Sequence, residues 1–125
     1  MNSFTETELT YLAERRLARI ATVAPDNTPH VCPVGMWSLD ADAEMIHIGG
    51  HDFASTKKFR DVARTGRAAL VIDDLATTDP WRPRGIEIRG RAEALHQPEP
   101  HIRLHPERVI GWGLEDPAAH NARTV

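Results

Sequence analysis

The sequence predicts a mainly β protein, an antiparallel β-barrel with peripheral helices, formed as one domain over residues 1–125. Three observations predict it. About seven short apolar runs of strand length are separated by clusters of Gly, Pro, Asp and Asn. Only two stretches, one near the N-terminus and one at 55–66, carry apolar residues at helical spacing. Those helices stand between strands without alternating with each one, which suits a barrel better than a βαβ sheet.

Each element has its own signal. Ser3 or Thr5 can cap an opening helix, each with a glutamate three residues on, Glu6 or Glu8. Leu9, Leu12, Ala13 and Leu17 supply its apolar stripe. Leu17 to Val23 reads as a strand, and Pro25-Asp26-Asn27-Thr28 as a turn. His30 to Trp37 returns as one strand, with Pro33 limiting regular pairing and Gly35 marking a bulge or a close ligand approach. Asp40 to Glu44 turns the chain into the run Met45 to Ile48, which ends at Gly49-Gly50.

Ser55 and Thr56 then stand where a helix N-cap is expected. Phe59, Val62 and Ala63 form one buried helical face, and Gly66 is a stop signal. Arg67 to Ile72 reads as a buried strand, and Leu75 to Arg84 as a stiff loop presenting Trp81, Arg82 and Arg84. Gly85 to Leu95 is a strand with a bend at Gly90. Pro98 and Pro100 interrupt the chain, 102–112 supplies the last strand material, and the polar tail from Glu115 is expected to be loosely held.

Charge narrows the partners. The chain carries 15 basic against 18 acidic residues, a net charge of -3, which disfavours a nucleic-acid partner. Between Ser55 and Arg67, however, Lys57, Lys58, Arg60, Arg64 and Arg67 face only Asp61. A helix N-terminus with hydroxyls and two ammonium groups is an anion site of small-molecule size; the plainer alternative is a solvated basic helix face. The single Cys32 excludes an intrachain disulfide and fits a packed thiol in a reducing compartment. With neither a signal-peptide pattern nor a long apolar run, the expected location is the cytoplasm and no membrane partner is expected.

Other residue clusters read more plainly. His47 and His51 would need a sharp turn to converge, and His101 and His105 on a strand would sit about 13 Å apart, so no metal site is expected. Trp81 and Trp112 suit either ring stacking or an interface between subunits. Asp73-Asp74 reads as a solvated turn whose carboxylates face apart.

Four segments, covering nearly everything from Leu9 to Leu114, resemble the pyridoxamine 5′-phosphate oxidase-like superfamily of split β-barrels. LARIATVAPDNTPHVCPVGMW is similar to the family's opening hairpin with its P-x-V-x-P-V strand. HIGGHDFASTKKFRDVARTGRAALVIDD is similar to its phosphate-binding turn, helix and following strand. DPWRPRGIEIRGRAEAL and HIRLHPERVIGWGL are similar to the later loop and the closing strands. More narrowly the chain resembles small members that depend on the deazaflavin coenzyme F420.

This resemblance implies a homodimeric split barrel (FMN-binding split barrel-like) with two cofactor sites at the subunit interface. Thr56-Lys57-Lys58, with Ser55, stands where flavin-binding relatives carry Ser-Arg-Lys at the phosphate. Pro33, Val34 and Gly35, with Ile48, Gly49 and Gly50, are implied to line the ring. Arg84-Gly85 stands where many relatives carry Arg-Gln, so Arg84 is retained as a cofactor residue while the glutamine is absent. No catalytic side chain is nominated. The implied function is a coenzyme F420-dependent oxidoreductase that moves a hydride between the reduced cofactor and a small organic acceptor. The alternatives are an FMN-dependent oxidoreductase of the same fold, or a non-catalytic flavin-, deazaflavin- or tetrapyrrole-binding protein.

Overall fold

The computed structural model describes residues 3–40, 42 and 44–125. Its α-helices are α1 (Glu6–Ala13) and α2 (Lys57–Thr65). Eight strands accompany them among the described residues: β1 (Ala18–Val23), β2 (Pro29–Val34), β3 (Met36–Leu39), β4 (Ile46–Gly49), β5 (Arg67–Thr78), β6 (Trp81–Leu95), β7 (His101–Trp112) and β8 (His120–Thr124).

All pairings are antiparallel, and the strands run in the order β2-β1-β5-β6-β7-β4-β3, with β8 also on β7. β2 and β3 are therefore the two ends of the sheet, yet only Gly35 separates them in sequence. One residue spans no more than about 7 Å between its neighbours' Cα atoms. The sheet must curl until its edges nearly meet, which makes it a split β-barrel.

The inward face is aliphatic. Ile20, Ile46, Ile48, Leu70, Ile72, Ile86, Ile88, Ile102, Leu104 and Val109 are essentially inaccessible. These are β-branched or leucine side chains on alternating positions, as a strand with one buried face requires. α2 buries Phe59 and Val62 against β1 and β6 and stops at Gly66, whose φ of 69° is the left-handed C-cap. α1 opens with the Thr5–Glu8 capping box and buries Tyr11 and Leu12, while Ala13 and Leu17 lie exposed, outside its apolar face.

Several expectations are corrected. His30 to Trp37 is two strands, because Gly35 is the joint between the sheet's ends. Leu75 to Arg84 is no loop: β5 and β6 run on as one long hairpin whose tip is Asp79-Pro80. Polarity misleads there, since this hairpin end has little to bury. The tail is not loose, because β8 pairs with β7 from Trp112↔His120 to Arg108↔Thr124. Asp73 and Asp74 are strand residues, paired with Gly85 and Arg84. The expected turn at Asp40 to Glu44 includes Ala41 and Ala43, which lie outside the described residues; around them Asp40 N–H bonds the Met45 carbonyl at 2.9 Å.

Candidate functional site

Thr56 is the N-cap of α2: its hydroxyl donates to the Phe53 carbonyl at 2.6 Å and accepts from Phe59 N–H at 3.3 Å. The first two amides of the helix, on Lys57 and Lys58, have no carbonyl one turn back to bond. Ser55 hydroxyl donates to Asp52 Oδ1 at 3.2 Å. Lys58 Nζ rests over the Phe53 ring, 5.2 Å from its centroid.

Lys57 is held differently. Its ammonium lies 3.3 Å from Asp61 Oδ1, one turn along the helix, and remains 40% exposed. Asp61 is buried at 3% and also accepts the Thr22 hydroxyl at 2.9 Å. Burial alone would raise the carboxyl's pKa, but the Thr22 and Lys57 bonds outweigh it and hold it below the usual range. A buried anion thus fixes an exposed cation at the start of α2.

The other expected residues are spread over separate hollows. Ile48, Gly49 and Gly50 line a cleft of 580 Å³ together with Met36, Phe53, Pro98, Pro100, His47, His101 and Arg103. Neither glycine takes a positive φ; Asp52, at φ 49°, makes the left-handed turn instead. Lys57 faces a 430 Å³ hollow beside Pro29 and His30. Gly35 belongs to a 400 Å³ hollow with Arg16 and Trp37, and Arg84 to a 260 Å³ hollow with Tyr11. Pro33 is exposed on the outward face and Val34 is buried.

Arg84 is bound by the protein itself. Its Nε and Nη2 donate to the Asp74 carboxylate at 2.8 and 3.1 Å, and its guanidinium lies 5.2 Å from the Tyr11 ring centroid. Beside it Gly85 has no room for a side chain. A Cβ there would sit 2.6 Å from Trp112 Cζ2, 2.7 Å from Asp73 Cβ and 2.8 Å from the Ile72 carbonyl oxygen. The absent glutamine is therefore excluded by packing.

Residue reasoning overlooked the wall of the 580 Å³ cleft formed by His47, His101 and Arg103. The signal was present in the alternation Ile46-His47-Ile48 and His101-Ile102-Arg103, which points all three outward. The pairing of β4 with β7 that sets His47 opposite Arg103 was not legible. His47 and His101 rings stand 5.7 Å apart. Among the described residues no group of three or more His, Cys, Asp and Glu side chains converges as a metal site would require.

A curled antiparallel sheet whose two end strands meet at Gly35 defines a split β-barrel. Residues 4–125 match the family model described as pyridoxamine 5′-phosphate oxidase, and the chain belongs to that family. It is 39% identical over 121 residues to the 5a,11a-dehydrotetracycline/5a,11a-dehydrooxytetracycline reductase of Streptomyces rimosus, covering 90% of this chain and 84% of the relative. A heme binding protein from Mycobacterium smegmatis superposes with a TM-score of 0.73 at 18% identity, over 95% of this chain and 57% of the longer one. An FAD binding protein from the same organism superposes with a TM-score of 0.65 at 18% identity, over 89% and 96% of the two chains. At such identity these two likenesses speak for the fold alone.

Proposed function

We propose that this protein is an oxidoreductase using reduced coenzyme F420 to reduce a small organic acceptor. The observation that carries the reading is the start of α2, where Lys57 and Lys58 stand with the first helical amides and offer donors to an anion. The residues fit the phosphodiester end of such a cofactor in charge and donor set. When bound, the reduced deazaflavin supplies a hydride from C5. The chain's own part is to fix the phosphate through Lys57 and Lys58, to let Gly49 and Gly50 approach the ring, and to keep water out. The name of the 39% identical relative supports a reductase and makes multi-ring dehydrotetracycline-type compounds the first acceptors to screen.

FMN is the second reading, supported by the family to which the chain belongs. Its phosphate would use the same donors. Gly85, closed to any side chain, weighs against an oxidase-style grip on the flavin ring.

The reading includes a homodimer completing each site and a cytoplasmic location. Its support is the outward face of β1 and β2, where Val23 and Val31 are 40% and 65% exposed beside Pro29 and Pro33. No described helix is long and apolar enough to cross a membrane.

Fluorescence titration with coenzyme F420 and, separately, FMN tests the cofactor, followed by turnover of the reduced form with candidate acceptors. Tight F420 binding with oxidation of the reduced cofactor sustains the proposal. Preferential FMN binding replaces it with the second reading, and binding of neither overturns the anion site.

A further inference from the structure

We infer that the 580 Å³ cleft contains a second anion subsite, centred on Arg103, which receives the carboxylate or enolate oxygens of a planar acceptor. The inference deepens the proposed function and rests on its reading of Gly49-Gly50 as the ring-facing edge.

Register builds the subsite. His47 on β4 lies directly opposite Arg103 on β7, and His101 lies two residues before Arg103, so all three share the outward face. Arg103 lines the cleft, and its Nε is covered with no hydrogen-bond partner. Among the described residues no carboxylate forms an ion pair with it. Glu93, its cross-strand neighbour on β6, attracts the Arg103 charge, but its carboxylate is bonded by His105 Nε2 at 2.5 Å and lies 3.6 Å from Arg91. The nearby histidines are oriented by their own partners: His101 Nδ1 faces the Glu99 carbonyl at 2.8 Å, and His47 Nε2 lies 3.6 Å from Asp40.

An orphaned guanidinium N–H at the wall of a cavity is a group awaiting an acceptor. A carboxylate or enolate in the plane of the fork would take two parallel bonds, and a small turn of the guanidinium would bring Nε into one of them. The remaining walls suit a flat apolar body: Met36, Phe53, Pro98 and Pro100 present carbon. Asp52 and Glu99 stand at the rim and are exposed, where water screens them from the ligand.

The test uses a matched pair of probes, 2-naphthoate and 2-naphthamide, titrated by calorimetry into the full chain without cofactor. Wild type is expected to bind the anion at least about fivefold more tightly than the amide. Arg103→Gln should weaken naphthoate by about tenfold, the lower end of what a charge-assisted bond is worth, and leave naphthamide within about twofold. Arg103→Lys, which keeps the charge and loses the fork, should fall between them, and it carries the comparison should the glutamine variant unfold.

Equal affinity for the two probes, no naphthoate binding, or an equal loss for both would overturn the subsite. Coenzyme F420 titrated into Arg103→Gln separates the sources of the anion. Unchanged F420 affinity supports an acceptor; a parallel loss would assign Arg103 to the cofactor's own anionic groups and overturn the acceptor subsite. Failure of wild type to bind F420 would overturn the proposed function, while the naphthoate comparison would still decide Arg103.

Discussion

The Tyr11 hydroxyl donates to Asp74 Oδ1 across 2.7 Å, joining α1 to β5 over 63 positions of sequence. Asp74 also accepts from Arg15 Nη1 at 2.7 Å and Arg84 Nε at 2.8 Å, so one carboxylate gathers three donors from α1, the chain after it and β6. The Arg84 bond is the chief cause of the depressed Asp74 pKa; burial opposes it, and the Tyr11 bond reinforces it. Burial and the Asp74 bond together push the Tyr11 phenol well above its ordinary range.

The sign of the pH dependence follows. A carboxyl depressed in the folded state contributes stability above its unfolded pKa of about 3.9, and the contribution is lost as pH falls through the folded value. Asp74→Asn should therefore lower the thermal midpoint at pH 7 and narrow its gap to wild type below about pH 3. Thermal unfolding from pH 7 to pH 2.5 checks it; a constant gap would mean the carboxylate's charge is immaterial.

Lys57→Ala should weaken coenzyme F420 binding at least several-fold, with Lys57→Arg retaining most of it. The loss should shrink as salt rises, since a partly exposed cation is screened. Fluorescence titration at two ionic strengths measures both effects. Unchanged affinity in Lys57→Ala would return α2 to a solvated basic surface.

Asp61→Asn should act on the same cation at one remove. Thr22 keeps a hydrogen-bonding partner, but Lys57 loses the anion that fixes it. The expected result is a cofactor affinity reduced by less than in Lys57→Ala, with the helix intact by circular dichroism. An affinity as poor as that of Lys57→Ala would instead indicate that α2 had moved.

Arg123→Ala should destabilise the fold by about 3 kcal/mol, because it leaves the Glu8 carboxylate buried without its ion pair. Arg123 Nη2 lies 2.5 Å from Glu8 Oε1, and Glu8 is only 2% exposed. Denaturant unfolding measures the change. The double variant Glu8→Gln/Arg123→Ala should recover part of it.

Gly85→Ala should cost about 2 kcal/mol through overpacking, since its Cβ would press on the backbone of β5 as well as on the Trp112 ring. Gly85→Gln, the flavin-oxidase residue, should be worse in stability and gain no FMN affinity. Thermal unfolding with and without FMN tests both halves.

The sequence by itself determined the strand-rich class and the family, and narrowed each helix cap to two residues, of which the structure uses Thr5 and Thr56. Alternation such as Ile46-His47-Ile48 and spacing such as Phe59–Val62 are local, so most residues that face the core could be read directly, although Ala63, expected on the same helical face, is exposed. The start of α2 at Thr56–Lys58 was equally legible, because a helix start is written in adjacent residues. Tertiary structure alone decided which strands lie side by side. It put β2 and β3 at opposite ends of a sheet that nevertheless closes at Gly35, and it laid the polar tail on β7 as β8. It also gave Arg84 to Asp74 and set His47 opposite Arg103, both choices made by long-range register. Register depends on the summed packing of a whole curled sheet, and no single stretch of residues encodes it.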